Sequence, residues 1–164
     1  GRDGAISLGG RKQRAVLAHL LLRANRLITA DRLIDLVWEG DPPLAARNVL
    51  QTYVSRLRKS LGPERLETRH GGYVLNANLD EIDADRFTAL VAEARASAPS
   101  DPESAVNCYR RADELWRGAA LEDLADRTSL RGETAHLDEL RMVAIEERIV
   151  VELAIGRHAA AAKH

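Results

Sequence analysis

Between Ala46 and Gly62 the chain reads ARNVLQTYVSRLRKSLG, with the cations Arg47, Arg56, Arg58 and Lys59 and no acid. The flanking acids are Asp41 before it and Glu64 after it. Surface helices ordinarily mix signs, because opposite charges three or four residues apart stabilise one another. Wound at 100° per residue, Ala46, Val49, Leu50, Tyr53, Val54, Leu57 and Leu61 gather within an arc of about 140°. The opposite face has Asn48, Gln51, Thr52, Ser55 and Lys59 at its centre, with Arg47 and Arg58 on one shoulder and Arg56 on the other. Phosphates attract cations and repel carboxylates, so a helix that lies against a polyanion loses its acids. In a major groove, Asn and Gln suit adenine, Arg suits guanine, and Ser or Thr serves either. Thr52 and Ser55 are therefore expected to read bases, and Arg47 and Arg58 to clamp phosphate.

A second set of residues lies just downstream. In RLETRHGGYVLN two short runs of strand formers flank Gly71-Gly72, which predicts a β-hairpin. Arg69 precedes the turn, where such a wing would meet a minor groove whose negative potential favours arginine. His70 reads as a turn residue.

Other chemistry finds little support. LGGRKQR has the glycines and Lys12 but not the pattern of a phosphate-binding loop. The histidines at 19, 70, 136, 158 and 164 lack metal-ligand spacing, and the single Cys108 excludes a thiolate zinc site. The pairs Asp113-Glu114 and Glu146-Glu147 are adjacent in sequence and point apart on a helix, unlike an acid/base pair. No enzyme activity, cofactor or metal is expected.

The elements that must position the basic helix can be read from periodicity. Ile6 and Leu8 in GAISLGG suggest a short strand. A helix is expected over Arg11–Asn25, with Leu17, Leu20, Leu21 and Ala24 on one face. A second starts near Ala30, N-capped by Thr29 and carrying Leu33, Ile34, Val37 and Trp38; EGDPP stops it. The basic helix follows from about Pro43 to Leu61, closed by Gly62 as a left-handed cap. Residues 76–85 read as a polar linker. Beyond it lie a helix capped by Asp83, another opened by Asp101-Pro102, a connector RGAALEDLADRTS, and a long helix from about Leu130 to Ile155 stopped by Gly156.

Charge divides along the same line. Residues 1–80 carry 13 basic and 8 acidic groups, a net +5, whereas residues 81–164 carry 11 and 17, a net −6. Such a split predicts a nucleic-acid-facing part joined to one with another task. No apolar run approaches the roughly 20 residues of a membrane span, and a lone cysteine suits a reducing cytoplasm.

LGGRKQRAVLAHLLLRANRLITADRLIDLVWEGDPPLAARNVLQTYVSRLRKSLG with RHGGYVL resembles the DNA-binding domain of the actinomycete antibiotic regulatory proteins, an OmpR-type winged helix. DADRFTALVAEA, ADELWRGAALEDL and LDELRMVAIEERI resemble the bacterial transcriptional activator domain that accompanies it. The resemblance implies a mainly α protein. Residues 1–76 would form a winged helix-turn-helix with a hairpin wing and a shortened N-terminal sheet. Residues 83–164 would form an all-α, tetratricopeptide-like domain that is normally longer, so a trimmed piece of a larger regulator is expected.

It also implies an activator that binds promoter direct repeats as a head-to-tail pair and recruits RNA polymerase holoenzyme. By motif match Thr52, Ser55, Arg56 and Lys59 fall in the recognition helix and Arg69 in the wing. Contact with the polymerase sigma factor is expected from WEGDPP, through Glu39 and Asp41. The alternative is a helical protein-interaction module whose basic helix docks an acidic protein. Salt dependence and sequence selectivity of DNA binding separate the two.

Overall fold

The computed structural model describes residues 8–161; of the strand expected around Ile6, all but its end lies outside them. The chain forms two compact units. Among the described residues, one comprises 8–77 together with Asp123–Glu133, and the other comprises Asn78–Glu122 with 134–161.

In the first unit the order is α1 (Arg11–Leu21), β1 (Ile28–Thr29), α2 (Ala30–Trp38), α3 (Ala46–Leu61), β2 (Leu66–Arg69) and β3 (Gly72–Leu75). The three helices enclose Val16, Leu20, Leu33, Val37, Leu50, Val54 and Leu57, all buried. α1 stops earlier than its apolar stripe suggests, and Asn25 then turns the chain through a positive φ of 63°. Thr29 caps α2, its hydroxyl accepting from Arg32 N at 3.3 Å. Trp38, at the other end, stacks on Tyr53 of α3 with ring centroids 6.2 Å apart, and Lys12 of α1 lies 5.2 Å from its ring. α2 ends before the prolines act, because Glu39 (φ 53°) and Gly40 (φ 96°) already leave the helix. α3 begins at Ala46 rather than Pro43, and Gly62 closes it at φ 107°, ψ 138°, which is not the left-handed helical cap expected.

The sheet order is β1-β3-β2, both pairs antiparallel. β1, only two residues long, was not legible in the sequence. Arg69 pairs with Gly72, so the hairpin turns on His70 (φ 42°) and Gly71 (φ 76°), one residue earlier than the Gly-Gly pair suggested. Positive φ at both positions matches the twist of a two-residue hairpin. Gly72 is needed for another reason. A Cβ there would lie against Ile28 O and 2.8 Å from Thr29 Cα, so only glycine lets β1 approach.

The second unit contains α4 (Asp83–Ser97), α5 (Pro102–Asp113) and α6 (Arg131–Ala161), whose first residues belong to the first unit. Phe87, Leu90, Val91, Ala94, Cys108, Tyr109, Ala112 and Ala144 form its core, with Leu140, Val151 and Trp116 packed against them. Phe87 meets Trp116 edge to face at 5.5 Å. Asp101 caps α5 by accepting from Ser104 N at 3.0 Å. Asp83 does not cap α4: it is the first helical residue, preceded by a short 3-10 turn with its own capping box at Asn78 and Glu81. Gly156 does not stop α6, which runs on to Ala161; a single glycine inside a helix costs only about 1 kcal/mol.

Candidate nucleic-acid interface

α3 buries Ala46, Leu50, Val54 and Leu57 and turns the opposite side to solvent. Arg47, Asn48, Gln51, Thr52, Ser55, Arg56 and Lys59 are all exposed, and the chain following α3 returns as the hairpin that carries Arg69. The residues singled out in the sequence therefore share one accessible helix face and the strand beside it. Their charges are not equally available.

Among the described residues, the side chains of Arg56 and Lys59 have no hydrogen-bonding or ion-pair partner. Arg47 does: its Nη2 lies 2.5 Å from Asp31 Oδ1, in the first turn of α2. Side-chain exposures of 58% and 78% make this a weak contact in water, on the order of 0–1 kcal/mol, readily exchanged for a phosphate. Arg69 is held by Glu67, Nε to Oε2 at 2.7 Å and Nη2 to Oε2 at 2.6 Å. Asn76 also donates to Glu67, at 2.6 Å. The Arg69 and Asn76 bonds hold the Glu67 carboxyl below the usual carboxylate range.

Arg58, expected on the shoulder as a clamp, is engaged elsewhere. Its Nε donates to Leu66 O at 2.6 Å and its Nη2 donates to Thr68 Oγ1 at 2.7 Å. Both acceptors belong to β2, so the guanidinium ties the recognition helix to the wing. Thr52 donates its hydroxyl to Asn48 O, one turn back, at 3.0 Å. Its oxygen remains free to accept, which suits a base-edge amino group more than a carbonyl.

Sequence reasoning missed Asp31, Glu67 and Thr68, the groups that hold the cations. Glu67 left a signal, since residues two apart on a strand share a face with Arg69. Asp31 left none, because the packing of α2 against α3 alone brings it to Arg47.

The loop between α2 and α3 also departs from expectation. Asp41, Pro42, Pro43 and Leu44 are exposed, Leu44 entirely so. Glu39, expected to face outward with Asp41, has its carboxylate turned onto the chain: Oε1 accepts from Ser129 N at 2.9 Å and Oε2 lies 3.6 Å from Arg127 Nη2. The Ser129 amide, and next the Arg127 charge, hold the Glu39 carboxyl below its ordinary range against the opposing effect of burial. No group of three or more His, Cys, Asp or Glu side chains that could hold a metal occurs among the described residues. No described helix is long and apolar enough to cross a membrane.

A helix with a basic, amide-rich face beside a two-residue-turn hairpin is the geometry of a winged helix. The family described as transcriptional regulatory protein, C terminal, matches residues 4–75, and that described as bacterial transcriptional activator domain matches residues 82–164. The chain belongs to the antibiotic regulatory family of transcriptional activators. Regulatory protein AfsR of Streptomyces griseus is 38% identical over 95% of the chain, which spans 16% of that relative. Transcriptional regulator RedD of Streptomyces coelicolor is 36% identical over 89% of the chain, and regulatory protein DnrI of Streptomyces peucetius is 34% identical over 91%. The chain spans 43% and 59% of those two relatives. The solved structure of Mycobacterium tuberculosis EmbR in complex with a low affinity phosphopeptide is similar at a TM-score of 0.86 and 36% identity. That match covers 93% of this chain and 42% of the other. The antibiotic-regulator fold, a winged helix followed by a helical domain, is thus present in one chain.

Proposed function

We propose that this protein is a cytoplasmic, non-enzymatic transcriptional activator that binds promoter DNA through α3 and the hairpin. The observation that carries the reading is the acid-free exposed face of α3, with Arg56 and Lys59 unpaired beside Asn48, Gln51, Thr52 and Ser55. α3 lies in the major groove, with Thr52 and Ser55 at base edges and Arg56 and Lys59 on phosphates. Arg47 and Arg69 exchange Asp31 and Glu67 for phosphate and minor groove, and Arg58 acts on DNA by holding the wing. The family relationship supports direct repeats as the operator, two copies head to tail, control of secondary metabolism, and recruitment of RNA polymerase holoenzyme. The α2–α3 loop is the surface offered to the sigma factor, with Asp41 as its exposed charge and Leu44 as an apolar tip; Glu39 contributes by shaping the loop.

Genomic selection of bound fragments followed by footprinting at several salt concentrations tests this. Two protected half-sites in the same orientation, with affinity falling steeply as salt rises, are expected. A palindromic footprint, or affinity independent of sequence, would overturn it.

A further inference from the structure

The loop between α2 and α3 is shaped at Glu39. This residue ends α2 at φ 53°, a left-handed conformation that L side chains rarely adopt, and the next residue, Gly40, also has positive φ. Its own N–H bonds back to Asp35 O at 2.8 Å, which leaves the side chain to settle where the chain goes next. That side chain is gripped by a segment some 90 residues later in sequence, through Ser129 N and Arg127. Arg127 also donates to Val37 O in the last turn of α2, and its side chain is only 13% exposed.

The segment is firmly seated. Leu124 and Leu130 are 1% and 0% exposed on either side of Arg127. Arg11 pairs with Asp126, Arg14 with Asp123 at 2.6 Å, and Arg23 with Glu133 at 3.1 Å, so acids of the segment meet cations along α1 and just beyond it. Ser129 Oγ lies 3.2 Å from Nε2 of the buried His19. A stretch preceded and followed in sequence by the second unit is thereby built into the first.

We propose that Asp123–Glu133 is a brace that sets the conformation of the α2–α3 loop, with Arg127 as its positioning residue. A segment far along the chain thus governs how the loop is presented, through contacts made within the first unit. The consequence for activation rests on the reading of that loop as the polymerase contact; the brace itself does not.

Hydrogen exchange on the full chain tests the brace. Arg127→Gln removes the charge and two donors, Arg127→Lys keeps the charge, and Glu39→Gln keeps an acceptor for Ser129 N while losing the ion pair. In Arg127→Gln and Glu39→Gln, the hydrogen-bonded amides of Glu39 and Asp41 should exchange at least tenfold faster, while protection in α3 and promoter affinity stay within about threefold of wild type. Arg127→Lys should recover most of the loop protection. If Arg127→Gln fails to fold, Glu39→Gln carries the same test. Unchanged exchange in the loop, or equal acceleration throughout α1, α2 and α3, would overturn the brace. Transcription in vitro is read in parallel with Asp41→Arg. Loss of activation in Asp41→Arg and in the loosened variants, at intact promoter binding, supports the coupling. Activation untouched by Asp41→Arg sinks the polymerase reading of the loop, and the brace is then decided by exchange alone. Activation lost in Asp41→Arg but retained in loosened Arg127→Gln overturns the claim that the brace governs activation.

Discussion

Replacing Arg58 by Ala separates a phosphate clamp from a wing brace. The side chain makes two hydrogen bonds from a charged donor, to Leu66 O at 2.6 Å and Thr68 Oγ1 at 2.7 Å. Leu66 is fully buried, so its carbonyl loses a charge-assisted partner at the edge of the core. Bonds to charged groups contribute about 1.5–3 kcal/mol, and Ala costs nothing in helix propensity, so stability should fall by about 1.5–3 kcal/mol. For a unit of this size, 1 kcal/mol shifts Tm by about 4–8 °C, so a fall of roughly 6 °C or more is expected by calorimetry. The slope of log affinity against log salt should hardly change, since no phosphate contact is removed, whereas Lys59→Ala should lower it by about 0.9. DNA affinity itself should drop at every salt concentration, because the wing is no longer held to α3. An unchanged Tm together with a salt slope reduced by one full contact would show that Arg58 is a clamp after all.

Thr52→Ala should leave stability within about 0.5 kcal/mol, because its hydroxyl only bonds back to Asn48 O, and should alter base preference at one or two positions by about 1–3 kcal/mol; a selection profile identical to wild type refutes it. His19 is completely buried, and burial, followed by the nearby Arg23, lowers its pKa from 6.5 to about 4. The unfolded chain therefore binds the extra proton first as pH falls, so stability is fully present above about 6.5 and declines toward 4, by up to roughly 3 kcal/mol. His19→Leu should flatten denaturation midpoints across that window, and an equal slope in both proteins would exclude His19 as the source. Gly72→Ala should destabilise the first unit by about 1–3 kcal/mol through collision with the β1 backbone, measured by urea denaturation; a neutral effect would mean that β1 can move away without loss.

Some of this protein was written in local sequence. The apolar stripe of α3, the Thr29 and Asp101 caps and the hairpin depend on neighbours within a few residues, and all appear where local rules put them to within a residue or so. The exposed amides, hydroxyls and cations of α3 were legible for the same reason, because a helical period assigns faces without any knowledge of the fold. What local rules misjudged were the endings. α1 ends at Leu21 and α6 passes through Gly156, since helix ends depend on what packs there as much as on the terminal residue.

Tertiary structure alone decided which charges are free. Arg47, Arg56, Arg58, Lys59 and Arg69 look alike in sequence, yet α2 brings Asp31 to the first, β2 brings two acceptors to the third, and Glu67 neutralises the last. Of these five, only the Arg56 and Lys59 side chains have no partner among the described residues. The same holds for Glu39, an acid in an exposed loop whose carboxylate is engaged by Arg127 and Ser129 from far along the chain. Periodicity fixes the direction a side chain takes from its own helix, but the partner it meets depends on contacts between residues distant in sequence, and no local pattern encodes those.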